Sequence, residues 1–119
     1  MFGFGKKKDI YEQIATWQEK GMLGKLMDTA MWHVEEDVRV AAFKALGQLH
    51  SNDAIEMLVD TFRQPETEKV KLAAAEALGR IATNKEFDVM MHISDIEENQ
   101  NVAMALKAAA IEAKDRHKY

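Results

Sequence analysis

An all-helical solenoid of about three and a half stacked helix pairs is predicted by three features of this 119-residue chain. The first is internal repetition. The segment "DVRVAAFKALGQL" starting at Asp37 returns 32 residues later as "KVKLAAAEALGRI" at Lys69, and more loosely as "NVAMALKAAAIEA" at Asn101. The second is spacing: the apolar positions of each copy recur at i, i+3, i+4, i+7, i+8 and i+11, one face of an α-helix. The third is punctuation. Eight Met but only one Pro and six Gly leave few helix breakers, and the single Pro falls in a turn between two helical patterns.

The elements follow in order. Residues 8–19 place Ile10, Ile14 and Trp17 in the slots that Ala42, Leu46 and Leu49 fill one unit later, so the chain opens on a half repeat. Residues 22–32 carry Leu23, Leu26 and Met27, which match Ile55, Leu58 and Val59 in 53–63, and Phe87, Met90 and Met91 in 85–94. Residues 36–49 hold Val38, Ala41, Ala42, Ala45, Leu46 and Leu49 on one face, and 67–82 repeat that face from Val70 to Ile81. Residues 99–115 keep Val102, Ala105, Ala109 and Ala113, but Ile111 stands where the earlier copies have Gly47 and Gly79. Pro65 blocks helix continuation in the middle turn. Thr83 and Glu86 have capping-box spacing at the start of the third unit. The expected organisation is a flexible tail over 1–7 and one domain over 8–119, with repeats near 21–52, 53–84 and 85–117.

Alanine recurs at matching slots, Ala41, Ala42 and Ala45 against Ala73, Ala74 and Ala77. Helix propensity favours Ala anywhere in a helix and gives no reason for identical slots. Close approach of neighbouring helix axes does.

The Val-Arg pair, the two Ala and the Ala-Leu-Gly of Val38–Gly47, with their partial copy from Val70 to Gly79, resemble the second helix of HEAT-like repeats, in the short form associated with phycobilin lyases. The resemblance covers about three quarters of the chain. Val70-Lys71 is a conservative departure, whereas Val102-Ala103 and Ala110-Ile111 depart outright, as suits a terminal unit. The family implies a right-handed α-solenoid with first helices on the convex side and second helices on the concave side. It also implies that Arg39 and Lys71 join side-chain ladders between repeats. It says little about function, because such repeats serve many proteins.

Composition excludes several classes. With no Cys there are no disulfides, thiolate zinc sites or thiol nucleophiles. A net charge of −4 argues against a nucleic-acid surface, and so against the HEAT-like DNA glycosylases. No apolar run approaches a membrane span, and the N-terminus lacks the apolar core of a secretory signal, so the expected location is the cytoplasm. None of the four His forms a His-Glu pair, which the HEAT-like di-iron hydroxylases require. Asp88 and His92, at i and i+4, are too few ligands for a metal. No phosphate loop, nucleophile elbow or calcium loop occurs. No catalytic, cofactor or metal residue is therefore expected.

Three surfaces remain. Glu35, Glu36, Asp37, Glu66, Glu68, Asp95, Glu97 and Glu98 crowd the three turns inside the repeats, which contain no Lys or Arg. Stacked, they form an acidic edge suited to steering a basic partner, although each also favours the helix dipole behind it. Val40, Leu72 and Met104 are equivalent positions opposite the core face, with Phe43 one turn beyond Val40. They read as an apolar stripe on the concave side, or as residues closed between units. Phe2 and Phe4 with Lys6–Lys8 would meet an anionic membrane surface, but the segment is short for stable anchoring. The last helix, with Ala105, Leu106, Ala109 and Ala110, also offers a face for a homodimer. The reading is a non-enzymatic protein-binding or scaffold module. A protein or peptide would be held by Val40, Phe43, Leu72, Met104, Glu35, Glu36, Glu66 and Glu68. The alternative implied by the resemblance is a small chromophore-lyase-like or other enzyme-accessory protein.

Overall fold

The computed structural model describes residues 9–117; the expected tail over 1–7 and the membrane-contact candidates Phe2, Phe4 and Lys6–Lys8 lie outside them. The helices are α1 (Ile10–Glu19), α2 (Leu23–Trp32), α3 (Glu36–Leu46), α4 (Asn52–Thr61), α5 (Glu68–Ile81), α6 (Phe87–Ile96) and α7 (Gln100–Lys114), with a 3-10 turn at Asn84–Glu86 before α6. No strand occurs among the described residues.

Local chemistry sets the ends. Asp9 caps α1 by accepting from the Tyr11 amide at 2.8 Å. Gly21, at φ +66°, closes α1, with the Met22 amide bonded to the Trp17 carbonyl and the Gly21 amide to that of Gln18. That is a Schellman end, which needs the left-handed conformation glycine adopts freely. The second helices of the repeats start at cap positions Glu35, Thr67 and Asn99, again 32 residues apart. Thr67 accepts from the Val70 amide and Asn99 from the Val102 amide. Thr83 and Glu86 form the expected capping box, which opens the 3-10 turn and not α6 itself. The helix expected over 36–49 stops at Leu46, where Gly47 takes the cap position.

Two layers result. The second helices stack in sequence: α3 lies against α1 and α5, and α5 against α7. The first helices pack chiefly on the second helices, as α2 on α3, α4 on α5 and α6 on α7, and hardly on one another. The stack measures 55 × 33 × 16 Å, elongated as a solenoid is.

The core follows the repeat. Val38, Val70 and Val102 occupy one slot, Leu46, Leu78 and Ala110 another, and Leu26, Leu58 and Met90 a third; all nine are sealed from solvent. Close approach explains the small residues. A Cβ placed on Gly47 would lie 3.0 Å from the Ala77 Cα, and one on Gly79 would lie 3.6 Å from the Ala109 Cα. Each glycine thus faces the alanine 30 residues on, in the next second helix. Ile111 fills this slot in α7 and is exposed. The face of α7 expected to offer a dimer contact is otherwise spent: Leu106, Ala109 and Ala110 are buried in the chain's own core.

Candidate functional site

The edge formed by the intra-repeat turns is laced, not simply acidic. Arg39, from the first turn of α3, donates Nε to the Ala30 carbonyl at the end of α2 and Nη2 to Glu66 of the next unit, both at 2.7 Å. Lys71 does the equivalent one repeat later, reaching Glu97 at 3.0 Å. Lys69 returns to Asp37, its own equivalent in the preceding unit, at 2.8 Å. The Asn99 amide group donates to Glu68 at 2.7 Å. The second turn carries Arg63, which pairs with Asp60 at the end of α4, and second helices supply the other cations across the seams. Arg39 and Lys71 are therefore the ladder residues that the resemblance implied. The single-signed ridge expected from the turns is corrected at Glu66 and Glu68, which are engaged between units. Glu35 and Glu36 form no ion pair among the described residues, although Glu36 lies close enough to Lys69 to help hold its proton.

Two carboxylates register this lacing. Burial alone would push the Glu97 carboxyl up, but the Asn99 amide, the Lys71 ammonium and the Glu98 amide bond to it and hold it below its ordinary value. Asp37 is exposed, and the hydrogen bond and charge of Lys69 hold it below the ordinary range.

The second-helix face differs from the stripe expected there. Val40 and Leu72 are half-buried against the core, and only Met104, on the last helix, is open at 67% exposed. Phe43 is 1% exposed and is corrected to a core residue. A helix residue three places after Val40 turns toward the next helix and the layer above, and the bulk of Phe43 fills the space beneath α2 and α4. Leu72 does line a shallow depression between α5 and α7, about 480 Å³, with Ala75, Gly79, Ala105 and Ala108. Charged Glu76, Arg80 and Glu112 share it, so both signs are present.

A more distinctive surface lies on the opposite layer. Between α2 and α4 runs a groove of about 560 Å³. Leu23, Met27, Met31 and Met57 form its apolar lining and Phe43 its floor. Its rim carries Asp53, Glu56, Asp60 and Glu66, and no Lys, Arg or His lines it. Asp53, Glu56 and Asp60 stand at i, i+3 and i+7 of α4, one stripe along the groove. Asp60 pairs with Arg63 at the surface and Glu66 with Arg39. Trp32, 73% exposed, follows Met31 at the turn end of the groove, with Val34 exposed just beyond.

Of this surface only Phe43 and Glu66 stand out in the sequence, and neither as part of a groove between first helices. Met27 shares an apolar slot with Val59 and Met91 and reads as core, whereas Met57 shares its slot with Lys25 and Val89 and carries no repeat signal. Trp32 had a signal: its slot holds Gln64 in the next unit, so an aromatic there serves no repeat-wide purpose.

Among the described residues no group of His, Asp and Glu is placed to hold a metal, and no helix is long and apolar enough to cross a membrane. His92 is exposed, and His117 shares a hydrogen bond with Asn84 at 3.1 Å.

No curated protein and no solved structure matches the chain. The family description "HEAT repeats" matches residues 23–112, naming no narrower branch. That span runs from the start of α2 to the last turn of α7, the stack of helix pairs described above, so the chain belongs to the HEAT-repeat family.

Proposed function

We propose that this chain is a non-enzymatic protein-binding module whose partner sits on the first-helix layer, in the groove between α2 and α4. HEAT repeats are commonly scaffolds for protein interactions. The observation that carries the reading is a groove in which Met31 is exposed and Met27 half-buried, above a buried Met57 and Phe43, with carboxylates along its rim. Met31, Trp32 and Val34 stay open at its turn end, and grouped exposed apolar side chains mark interaction sites. Methionine side chains, unbranched and polarisable, suit contacts that must adapt to a partner. Trp32 and Val34 extend the surface beyond the groove, and an exposed Trp is the residue type that most often anchors an interface. The second-helix depression at Leu72 serves this reading less well, because mixed charge and half-closed side chains leave little apolar area there.

The test is affinity purification from the native host, using the full chain and two doubly substituted forms whose helicity is checked by circular dichroism. Met31→Glu with Trp32→Glu places charge on exposed positions and is expected to lose the partner while remaining folded. Val40→Asp with Leu72→Asp alters the second-helix face and is expected to retain the partner if it folds. Retention of every partner by the Met31/Trp32 form would contradict the proposal.

A further inference from the structure

We infer that the occupant of the α2/α4 groove is a cationic amphipathic helix, an inference that rests on the binding reading above and adds the chemistry of the partner. The groove lies between two helices of ten residues each that occupy equivalent places in successive repeats and so run in the same direction. Its two long walls are helices, whose backbone groups are already paired, so it offers no sheet edge for an extended strand. Partner recognition here therefore takes the helix-in-groove form, with apolar anchors at i, i+3 or i+4, and i+7.

The rim fixes the charge. Asp53, Glu56 and Asp60 advance along α4 by three and then four residues, so their carboxylates recur once per turn over about 10 Å. A docked helix with Lys or Arg at i, i+3 or i+4, and i+7 on one flank presents cations at the same pitch. No basic side chain lines the groove to repel them. Asp53 and Glu56 have no ion pair among the described residues, so a partner need displace nothing to reach them. An anionic helix would meet the carboxylates of Asp53 and Glu56, with Asp60 and Glu66 already engaged by Arg63 and Arg39. An uncharged one would strip water from them and return nothing. Met27, Met31 and Met57 accept aliphatic or aromatic anchors alike, so the rim and not the floor selects the partner.

The probe is a helical Leu/Lys peptide with Leu at i, i+3 and i+7, compared with the same pattern carrying Glu for Lys. The readout is the methionine methyl NMR spectrum of the full chain. The Leu/Lys peptide is expected to shift the Met27, Met31 and Met57 methyls and leave the sealed Met90 and the α7 residue Met104 in place. The Leu/Glu peptide is expected to shift none. Asp53→Asn with Glu56→Gln, both exposed substitutions, is expected to weaken Leu/Lys binding about tenfold, and added salt to weaken it similarly. Equal binding of both peptides, shifts centred on Met104, or groove shifts that follow chain concentration alone (a second copy as occupant) would each overturn the inference. Should the peptide fail while Met31→Glu with Trp32→Glu still strips the native partner, the cationic helix is wrong and the binding module stands.

Discussion

The two layers of this solenoid are built from the same repeat by opposite means. In the second-helix layer small residues recur at fixed slots, helix axes close to the point where Gly47 meets the Ala77 backbone, and cations lace one unit to the next. In the first-helix layer the equivalent positions vary, the helices hardly touch, and methionines line the gap. Stability and binding are thereby separated. Burial that is shared along the stack does not depend on filling the α2/α4 groove, so a partner can occupy it without disturbing the seams.

Overpacking the closed layer should have the largest effect. Ala74 is sealed in the middle of α5. Ala74→Phe should cost about 1–3 kcal/mol or more and lower the melting temperature accordingly. An unchanged melting temperature would show that no close contact exists there. Cutting a rung comes next. Arg39→Met removes a donor shared by the buried Ala30 and the partly buried Glu66, and should cost on the order of 1–3 kcal/mol in a denaturant melt. Lys69→Ala, at the surface rung to Asp37, should leave the melt unchanged, because both side chains are well exposed.

A smaller effect separates two copies of one seam. At Gly79 a Cβ finds ordinary contact distances, so Gly79→Ala should gain up to about 1 kcal/mol of helix propensity. At Gly47 the added atom lies 3.0 Å from the rigid backbone of α5, so Gly47→Ala should destabilise. Thermal melts of the two single variants moving in the same direction would remove the claimed asymmetry between the seams.

The smallest effect is on pH. Glu97 is held below its ordinary 4.5 in the folded chain. Its contribution is therefore complete above that value and lost as the pH falls through the lower folded one. Stability should drop on acidification below about pH 4.5, and Glu97→Gln should flatten that drop while weakening the rung at neutral pH. An acid limb identical to the parent's would show that Lys71 and the Asn99 amide do not hold the carboxylate.

Much of the closed layer was legible before any coordinates, because its logic is written as identity at equal spacing: Val38 with Val70 and Val102, Gly47 with Gly79. The ladder residues were legible only through the family resemblance. Arg39 and Glu66 stand 27 residues apart, and nothing in either residue's surroundings announces the other. For the same reason the turns read as a bare acidic ridge, since their cations come from helices one unit away. The open layer was hidden by its own periodicity. Met27 falls in the slot of the buried Val59, and only the sparse contact between α2 and α4 leaves it lining a groove, while Met57, whose slot holds Lys25 one unit earlier, is buried at the groove wall. Phe43 was misplaced because position along one helix says which side a residue takes, but not which neighbour waits there.

Amide hydrogen exchange on the intact chain tests the division of labour between the layers most directly. Protection should be deepest in α5, which is flanked by second helices on both sides, with α3 close behind, while α2 and α4 exchange faster along the groove. Equal protection of α4 and α5, or slower exchange in α4, would mean that the first helices carry the stack and that the groove is part of its core.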